Sequence, residues 1–554
     1  MSELCSSRSE QLELSAPQKK FEIDLERQSL EFSFQLALEG YFEGEGVNER
    51  KDLVEHAERT MKLAEEFAGL KLPPEAIHAV LLHDVADRFH NRDSQKCTPE
   101  RRQAAGLALA DVFTNPKIDM TCAQVSYVAS LLADLIETEK ASGRHRLQVA
   151  NTIPESIREI ITDRYEGSVP AEAWRQIEPF VDVEQMAEFL DKTNIEAVII
   201  KACELLDNMR YPSSSRESAK LQDVLEAESF YAPLCEVMGF DGLAASLRSQ
   251  AHIIRLKGQG KRKLIEEIRE QYETIRQVGV RNLVNTIFGT EKVKTEAVVG
   301  PRSEESCPNR SIHIGDFLAK NGKKVEGKYR LKTVGSWAAK VHEARQNDKP
   351  EYTPMDVLGL TVISDTVADQ ARDFVAFLQQ RIDTTPAFQL KKANSKSSAI
   401  YVQGTVDYVN AVRWEMWQHG FDIGRCEFAI QDDESVKQRG QKYQVSKVTF
   451  LMDHPELDNG VPVEVQFVTK AERQRSRTGE VAHIIYKYIR QLERQRSVSD
   501  EEKLFIAQTM SRLLKQIHQR RDYASHDLMV NERSTPARDA FLEDLWYFLQ
   551  HELA

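Results

Sequence analysis

The sequence lacks the features that mark several large classes of protein. No apolar run approaches the roughly 20 residues that a membrane-spanning helix needs. Residues 1–22 are polar and have no apolar core of the kind found in a secretory signal. The seven cysteines are odd in number, scattered and without CxxC spacing. We therefore expect reduced thiols in a cytoplasmic protein that has no membrane partner.

An excess of positive charge is also absent. The formal net charge is −13, which argues against general binding to nucleic acid or to an anionic membrane. Internal repeats and low-complexity tracts are absent as well. The 554 residues are enough for about three or four domains. Because the apolar fraction of 41% is ordinary, these domains can bury sizeable cores.

Apolar periodicity divides the chain into a helical part and a mixed part. From about residue 24 to 285, apolar residues recur every three and four positions, which predicts helices. After residue 310, short β-branched runs alternate with helical segments, which predicts an α/β domain with a mixed sheet. The predicted organisation is a tail at 1–22, an all-α domain at 23–260, a helical connector and loop at 261–309, an α/β domain at 310–490, and a helical segment at 491–554.

His83 and Asp84, adjacent near the end of a helical run, are the most informative pair in the chain. Their nitrogen and oxygen donors suit Mn²⁺, Fe²⁺ or Zn²⁺. Alone, such a pair is more often a hydrogen bond at a helix end. His56 lies in another helical run upstream, and Glu204 and Asn208 lie in a third. Residues from three helices that converge on one divalent metal are therefore predicted.

A second group of residues has the chemistry of a phosphate site. Arg330 and Lys332 alternate along a predicted strand, so both side chains are expected on one face. Ser336 and Lys340, four residues apart at the start of a helix, also share a face. A strand end with two cations followed by a helix start is a good phosphate cradle. The alternative is a solvated basic surface.

Three further polar residues flank apolar strands of the same domain. Asp356 precedes a buried strand, and Glu464 and Gln466 lie on a strand whose other face is apolar. A carboxylate among apolar residues is costly unless it is paired or binds a metal. Two carboxylates facing a cation cluster suit Mg²⁺-assisted phosphoryl transfer. The alternative for each carboxylate is a structural salt bridge.

In this order, the motifs resemble those of the RelA/SpoT homologue family, which makes and degrades the alarmone (p)ppGpp in the stringent response. The resemblance covers about residues 45–490, and its ordered set of motifs is more specific than any one of them. The matching positions are His56, His83-Asp84, the segment from Lys201 to Arg210, Tyr231-Ala-Pro-Leu, Arg330-x-Lys332-x-x-x-Ser336-x-x-x-Lys340, Asp356, Glu464-x-Gln466 and Gly479 with His483.

For the helical half, the resemblance implies an HD-type hydrolase domain. His56, His83, Asp84 and Glu204 would hold Mn²⁺. Asp87 would help to activate the water that removes pyrophosphate from the 3′ position of (p)ppGpp.

For the α/β half, the resemblance implies a nucleotidyltransferase-like synthetase domain. It would transfer pyrophosphate from ATP to the 3′-hydroxyl of GDP or GTP. Asp356 and Glu464 would serve Mg²⁺, and Glu464 would also deprotonate the acceptor. Arg330, Lys332 and Lys340, with Ser336, would hold the ATP phosphates. Asn208 in the helical half, and Lys396, Gln466 and His483 here, would be further nucleotide-binding residues.

The chain departs from the family pattern at several positions. Arg88 and Arg477 stand where the family has acids, Lys396 replaces a tyrosine that stacks on guanine, and Thr361 replaces an arginine. Glu204 replaces an aspartate. Two alternatives therefore stay open. The first is a guanine-nucleotide-binding regulator that has lost one or both activities, and the second is an HD phosphohydrolase of another nucleotide.

Only a short helical tail follows residue 490, where long family members continue with TGS and ACT domains. We therefore expect no ribosome-dependent control of that kind. The expected partners are ATP, GDP or GTP, and (p)ppGpp, without nucleic acid. The sequence leaves open whether the chain forms a homo-oligomer.

Overall fold

The structure is a computed structural model of the chain. Of the residues predicted for a site, Asp84, Asp87 and Lys396 lie outside the part that it describes. The described residues are 56, 59–64, 66–67, 79–80, 82–83, 85–86, 89–90, 99–114, 122–151, 155–162, 169–177, 181–182, 185–186, 189–190, 195–211, 217–288, 292–294, 313–320, 324–347, 349, 352–391, 399–430, 444–455, 457–479, 482–524, 543–545 and 547.

The chain forms two compact units, and it is mostly helical before the sheet begins. The first unit comprises residues 1–58, 72–136 and 534–554, and the second comprises 59–71 and 137–533. Within the described residues, no helix combines the length and apolarity needed to cross a membrane.

The first unit is helical wherever it is described in detail. It contains helix α1 (Pro99–Thr114) and the first half of α2 (Cys122–Ala150), both within the stretch from about residue 24 to 285 for which the sequence predicted helices. The side chain of Arg102 donates from Nε to the carbonyl oxygen of Phe89 at 2.8 Å. The core of this unit includes Val80, Leu82, Val85, Ala105, Leu109, Leu131 and Leu132.

The helical part of the second unit continues from the second half of α2. A π-helical turn at Ala227–Tyr231 joins two of its helices. Gly279, with φ of 90°, follows the last residue of the charged helix Arg262–Val278, at a position where glycine commonly ends a helix. The helices are α3 (Glu155–Thr162), α4 (Ala171–Gln176), α5 (Ile195–Arg210), α6 (Glu217–Glu226), α7 (Ala232–Val237), α8 (Asp241–Gly258), α9 (Arg262–Val278) and α10 (Val280–Phe288).

A mixed sheet with helices follows in the same unit. Among the described residues it has nine strands in the order β1-β2-β3-β4-β9-β8-β6-β7, with β5 paired to β8. The elements are β1 (Lys292–Lys294), β2 (His313–Lys320), β3 (Lys324–Leu331), α11 (Val334–Gln346), β4 (Leu358–Ser364), α12 (Val367–Phe377), β5 (Phe388–Leu390), β6 (Ile400–Gly404), α13 (Val406–Gln418), β7 (Cys426–Ile430), β8 (Val445–His454), β9 (Leu457–Thr469), α14 (Lys470–Thr478), α15 (His483–Gln495) and α16 (Asp500–Ala524).

The central strands separate an apolar face from a polar face. On β4, Leu358 and Leu360 are buried, whereas the intervening Gly359 and Thr361 are partly exposed. This alternation follows from the two-residue period of a strand. The apolar face packs against α12, where the rings of Phe374 and Phe467 lie 5.3 Å apart. The opposite face of the sheet, which carries the polar side chains, does not pack against α12.

Helix α8 packs against the start of α11, so close contacts connect the segments on the two sides of the predicted boundary at residue 260. A Cβ added to Gly335 of α11 would lie 2.0 Å from the carbonyl oxygen of Ser249 on α8. The amide of Gly335 donates to Ser249 Oγ at 3.1 Å. On the other side of α8, Arg255 donates to Glu228 of the π-helical turn. Helix α8 therefore holds the helical part and the sheet together.

Beyond residue 260, the predicted connector also contributes to the sheet. Its segment β1 pairs antiparallel with β2, with Lys292 opposite Leu318. The sheet therefore begins earlier in the chain than the predicted start of the α/β domain at residue 310.

We predict that Gly335→Ala destabilises the second unit by about 1–3 kcal/mol, because the new methyl group has to push the backbone of α8 away. Urea unfolding followed by circular dichroism measures the change. The control is Gly143→Ala in α2, where nothing lies within 4 Å of an added Cβ and helix propensity favours alanine by about 1 kcal/mol. Equal midpoints for both variants would contradict the tight contact between α8 and α11.

Candidate functional site

A cleft of about 680 Å³ lies over the polar face of the sheet, within the second unit. Strands β3, β4, β8 and β9 form its floor, and α8 and α14 contribute to its walls. Four residues that the sequence predicted for a site, far apart along the chain, line this cleft together: Arg330, Asp356, Glu464 and Gln466.

Strand register brings the residues on the floor of the cleft into order. Arg330 pairs with Gly359 across β3 and β4, and Gly359 pairs with Glu464 across β4 and β9. Glu464 accepts a hydrogen bond of 2.6 Å from Gln466 Nε2, two residues along the same strand. This bond turns the carboxylate along β9 toward Gln466, and Gly359 on β4 separates Glu464 from Arg330 across the sheet.

The walls bring charge from helices that sequence reasoning did not connect with the site. Arg248 of α8 pairs with Glu236. Arg477 of α14 donates to Asp241 of α8 at 2.8 Å. Among the described lining residues, the cations are Arg248, Lys328, Arg330, Lys447, Arg473 and Arg477, and the carboxylates are Glu236, Asp241, Asp356 and Glu464. Six against four gives the cleft an excess of positive charge, which favours an anionic ligand.

Asp356 is held by both lysines of the predicted phosphate motif. Its Oδ2 lies 2.5 Å from Lys332 Nζ and 2.8 Å from Lys340 Nζ. Burial by itself would raise the pKa of Asp356, but the two ammonium groups hold this pKa well below its usual range. Both contacts involve Oδ2, and Oδ1 takes part in neither. The carboxylate is therefore ionised and rigidly placed at the end of β3.

The start of α11 differs from the predicted cradle in where its amide groups point. Thr333 caps the helix and accepts from the amide of Ser336, and its hydroxyl also contacts Ser336 Oγ at 3.0 Å. The amide of Gly335 donates to Ser249. Lys332, expected on the same face as Arg330, lies just beyond the end of β3 and is buried. Neither Lys332 nor Lys340 is among the residues that line the cleft, and both are paired with the lining residue Asp356.

Gly359 leaves open space on the floor of the cleft. The nearest atom to an added Cβ would be the carbonyl oxygen of Arg330, at 3.7 Å, an ordinary van der Waals contact. The backbone there is an ordinary strand, so neither packing nor conformation requires glycine. Unfilled space therefore lies on the floor of the cleft at Gly359, between the strand positions of Arg330 and Glu464.

In the first unit, two of the predicted metal ligands lie side by side. The ring centroids of His56 and His83 are 6.1 Å apart, and one nitrogen of each ring lies within 4.8 Å of the other. His83 Nδ1 is 2.5 Å from the carbonyl oxygen of Val80, so Nδ1 carries the proton and Nε2 the lone pair. A backbone carbonyl that fixes the ring in this way is typical of a metal-binding histidine.

Glu204, Asp207 and Asn208 lie on α5 in the second unit. The Nζ of Lys201 forms an ion pair with Oε2 of Glu204 at 2.6 Å. Burial alone would lower the pKa of Lys201, but Glu204 and Glu139 raise it well above its ordinary value. Asp207 is buried and accepts two hydrogen bonds from Arg59. Asn208 is exposed, and its predicted contact with a nucleotide stays a prediction.

The structure describes the side chains of fewer of the remaining predicted residues. Asp84, Asp87 and Lys396 lie outside the described residues, and of His483, the first residue of α15, only the backbone is described. Lys328 was missed, although its alternation with Arg330 on β3 was a usable signal. Arg248 and Asp241 carried no such signal, because only the packing of α8 brings them to the sheet.

A comparison of the chain with protein-family models finds no match, and neither does a search of the curated proteins. The likeness to RelA/SpoT homologues therefore rests on the motifs of the sequence itself.

The sequence predicts that Arg330 binds ATP phosphates, so we expect Gly359→Val to leave the fold intact and to weaken ATP binding by about tenfold or more, because valine suits a strand and its side chain fills the floor of the cleft. Isothermal titration measures ATP affinity, and urea unfolding measures stability. The control is again Gly143→Ala, which lies outside the cleft. Unchanged ATP affinity in a folded Gly359→Val variant would show that the cleft is not the nucleotide site.

Proposed function

We propose that the chain makes and degrades the alarmone (p)ppGpp, with synthesis in the cleft over the sheet and hydrolysis at the histidine pair. The observation that carries the proposal is the convergence of Arg330, Asp356, Glu464 and Gln466 on one cleft. These are residues of separate motifs, and the RelA/SpoT resemblance requires them to act together.

For synthesis, the cations at the end of β3 and on α11 bind the phosphates of ATP. Glu464 takes the proton from the 3′-hydroxyl of GDP or GTP, and Gln466 holds that carboxylate in place. The 3′-oxygen then attacks the β-phosphorus of ATP. The bond between the β-phosphorus and the oxygen bridging it to the α-phosphorus breaks, and AMP leaves.

The carboxylates of the cleft fit a bound Mg²⁺. Oδ1 of Asp356 takes no part in the contacts with the two lysines, and Glu464 lies on the same cleft. These two residues would hold the ion, which when bound supplies charge neutralisation on the phosphate oxygens. Lys332 and Lys340 fix the position of Asp356 for that purpose.

For hydrolysis, His56 and His83 of the first unit would supply imidazole nitrogens for Mn²⁺, and the RelA/SpoT resemblance implies Glu204 and Asp84 as oxygen ligands. The hydrogen bond from His83 to Val80 sets the tautomer that a metal requires, and Lys201 orients the carboxylate of Glu204. When bound, the ion supplies an activated water. In the hydrolysis, water would add to the phosphorus next to the 3′-oxygen, the bond between that phosphorus and the 3′-oxygen would break, and the 3′-oxygen would take a proton as pyrophosphate is released.

Glu464→Gln is expected to lower pyrophosphoryl transfer by at least a hundredfold, because the amide cannot accept the proton of the acceptor hydroxyl. Transfer of label from [γ-³²P]ATP to GDP, resolved by thin-layer chromatography, measures the rate. The control is Glu427→Gln on β7, a glutamate that does not line the cleft. Full activity of Glu464→Gln would exclude Glu464 as the base. ATP and GDP binding to the wild type without any transfer would indicate the nucleotide-binding regulator instead.

His83→Ala is expected to abolish Mn²⁺-dependent release of pyrophosphate from ppGpp and to weaken Mn²⁺ binding in titration calorimetry. The control is His419→Ala, which removes a half-exposed histidine after α13. If the wild type releases no pyrophosphate at any Mn²⁺ concentration, the proposed hydrolase activity is wrong. The synthetase half would still stand on its own assay.

A further inference from the structure

Asp544 lies far along the chain from His83, yet both residues belong to the first unit. Around Asp544, the described residues 543–545 and 547 are helical; we refer to them as the Asp544 segment. The side chain of Leu545 in this segment is buried, with 4% of its surface exposed. Because a buried leucine needs apolar neighbours, the segment is packed into the first unit rather than lying loosely on its surface.

The carboxylate of Asp544 faces two cationic or ionisable groups of the same unit. Its Oδ2 lies 3.6 Å from His90 Nδ1 and 3.6 Å from a terminal nitrogen of Arg102. Both Asp544 Oδ2 and His90 Nδ1 are buried. Salt screens a buried charge much less than an exposed one. Asp544 therefore links helix α1, which carries Arg102, to the segment that contains His90.

His90 belongs to the same helical stretch as His83. All described residues between 79 and 90 are helical; we refer to this stretch as the His83 helix. Seven residues make nearly two turns, so His83 and His90 lie on about the same face, roughly 10 Å apart along the axis. A contact that holds His90 therefore fixes the rotation of the helix about its axis, and with it the direction in which His83 projects.

Arg102 gives the His83 helix a second attachment. Its Nε donates to the carbonyl oxygen of Phe89 at 2.8 Å, and its guanidinium group lies over the ring of Phe89, 5.7 Å from the ring centre. Hydrogen bonds from a charged donor are stronger than those between neutral groups. Because one oxygen of Asp544 faces both Arg102 and His90, a single carboxylate supports both attachments.

We propose that Asp544 is a positioning residue for the metal site of the first unit. By holding His90 and Arg102, it fixes the helix from which His83 binds Mn²⁺. This inference rests on the proposed function of the histidine pair. Asp544 acts through the helix and touches neither the metal nor the nucleotide, so the affinity for Mn²⁺ depends on how the Asp544 segment packs.

The test measures Mn²⁺ affinity by titration calorimetry in the full chain, counting only the binding that His83→Ala abolishes. Asp544→Ala is expected to weaken this binding about fivefold or more, somewhat less than the 10–100-fold typical of groups that contact a metal ligand directly. Release of pyrophosphate from ppGpp should recover at saturating Mn²⁺, because Asp544 does not touch the reacting atoms. Asp544→Glu, which keeps the carboxylate, should retain most of the affinity.

Two control variants separate positioning from a loss of charge or of stability. Glu543→Ala removes the same charge from the exposed neighbouring residue. Leu107→Gly, at a 45% exposed position of α1, lowers stability through helix propensity, and urea unfolding measures that loss. Both controls should bind Mn²⁺ like the wild type. Hydrogen exchange of the amides between 79 and 90 should be faster in Asp544→Ala than in either control.

Unchanged Mn²⁺ affinity in a folded Asp544→Ala variant would overturn the inference. Equal losses of affinity in Asp544→Ala and Leu107→Gly would overturn it too, because they would indicate a general effect of stability. A wild type that binds Mn²⁺ but releases no pyrophosphate contradicts only the proposed hydrolysis, since the affinities of the variants still decide the role of Asp544. A wild type that binds no Mn²⁺ overturns both.

Discussion

The close contact between α8 and the start of α11 is the constraint on which the cleft depends. A glycine at position 335 lets the backbone of α8 approach to a distance that any side chain would forbid. Because Arg255 anchors the opposite side of α8 to Glu228, the helix cannot shift without breaking contacts on both sides. The cleft therefore has a wall at a fixed place above the sheet, and the charges on that wall are fixed with it.

Opposite this wall, one face of the sheet packs in the hydrophobic core and the other face carries the polar residues of the cleft. One face buries leucine, valine and phenylalanine side chains against α12, and this burial supplies the hydrophobic stabilisation of the sheet. The other face is then free to carry arginine, lysine, glutamate and glutamine. A glycine at 359 opens space between two of them. The strand period of two residues thus links stability and chemistry, since a register slip of one residue would bury the charges.

Ion pairs fix the positions of several charged side chains in and beside the cleft, in addition to the excess of cations over carboxylates. Asp356 neutralises part of the positive charge of Lys332 and Lys340 and holds both side chains in position. Arg477 and Asp241 connect α14 to α8, and Arg248 pairs with Glu236. A preorganised set of charges costs little reorganisation when an anion binds. Such an arrangement suits the proposed transfer between two polyphosphate ligands, which brings several negative charges into one site.

The local pattern of the sequence determined most of the secondary structure and part of the site, whereas tertiary packing determined how the elements are arranged. The helical character of residues 24–285, the alternation of strands and helices after residue 310, and the grouping of Arg330 with Asp356 and Glu464 follow from periodicity and motif chemistry. The short strands β1, β5 and β7 carry too few residues for a pattern. Whether the amides at the start of α11 face a ligand depended on Ser249, which lies far away in the sequence. Contacts between distant segments leave no local pattern, because they depend on which surfaces meet, and so only the tertiary structure places α8 over the sheet.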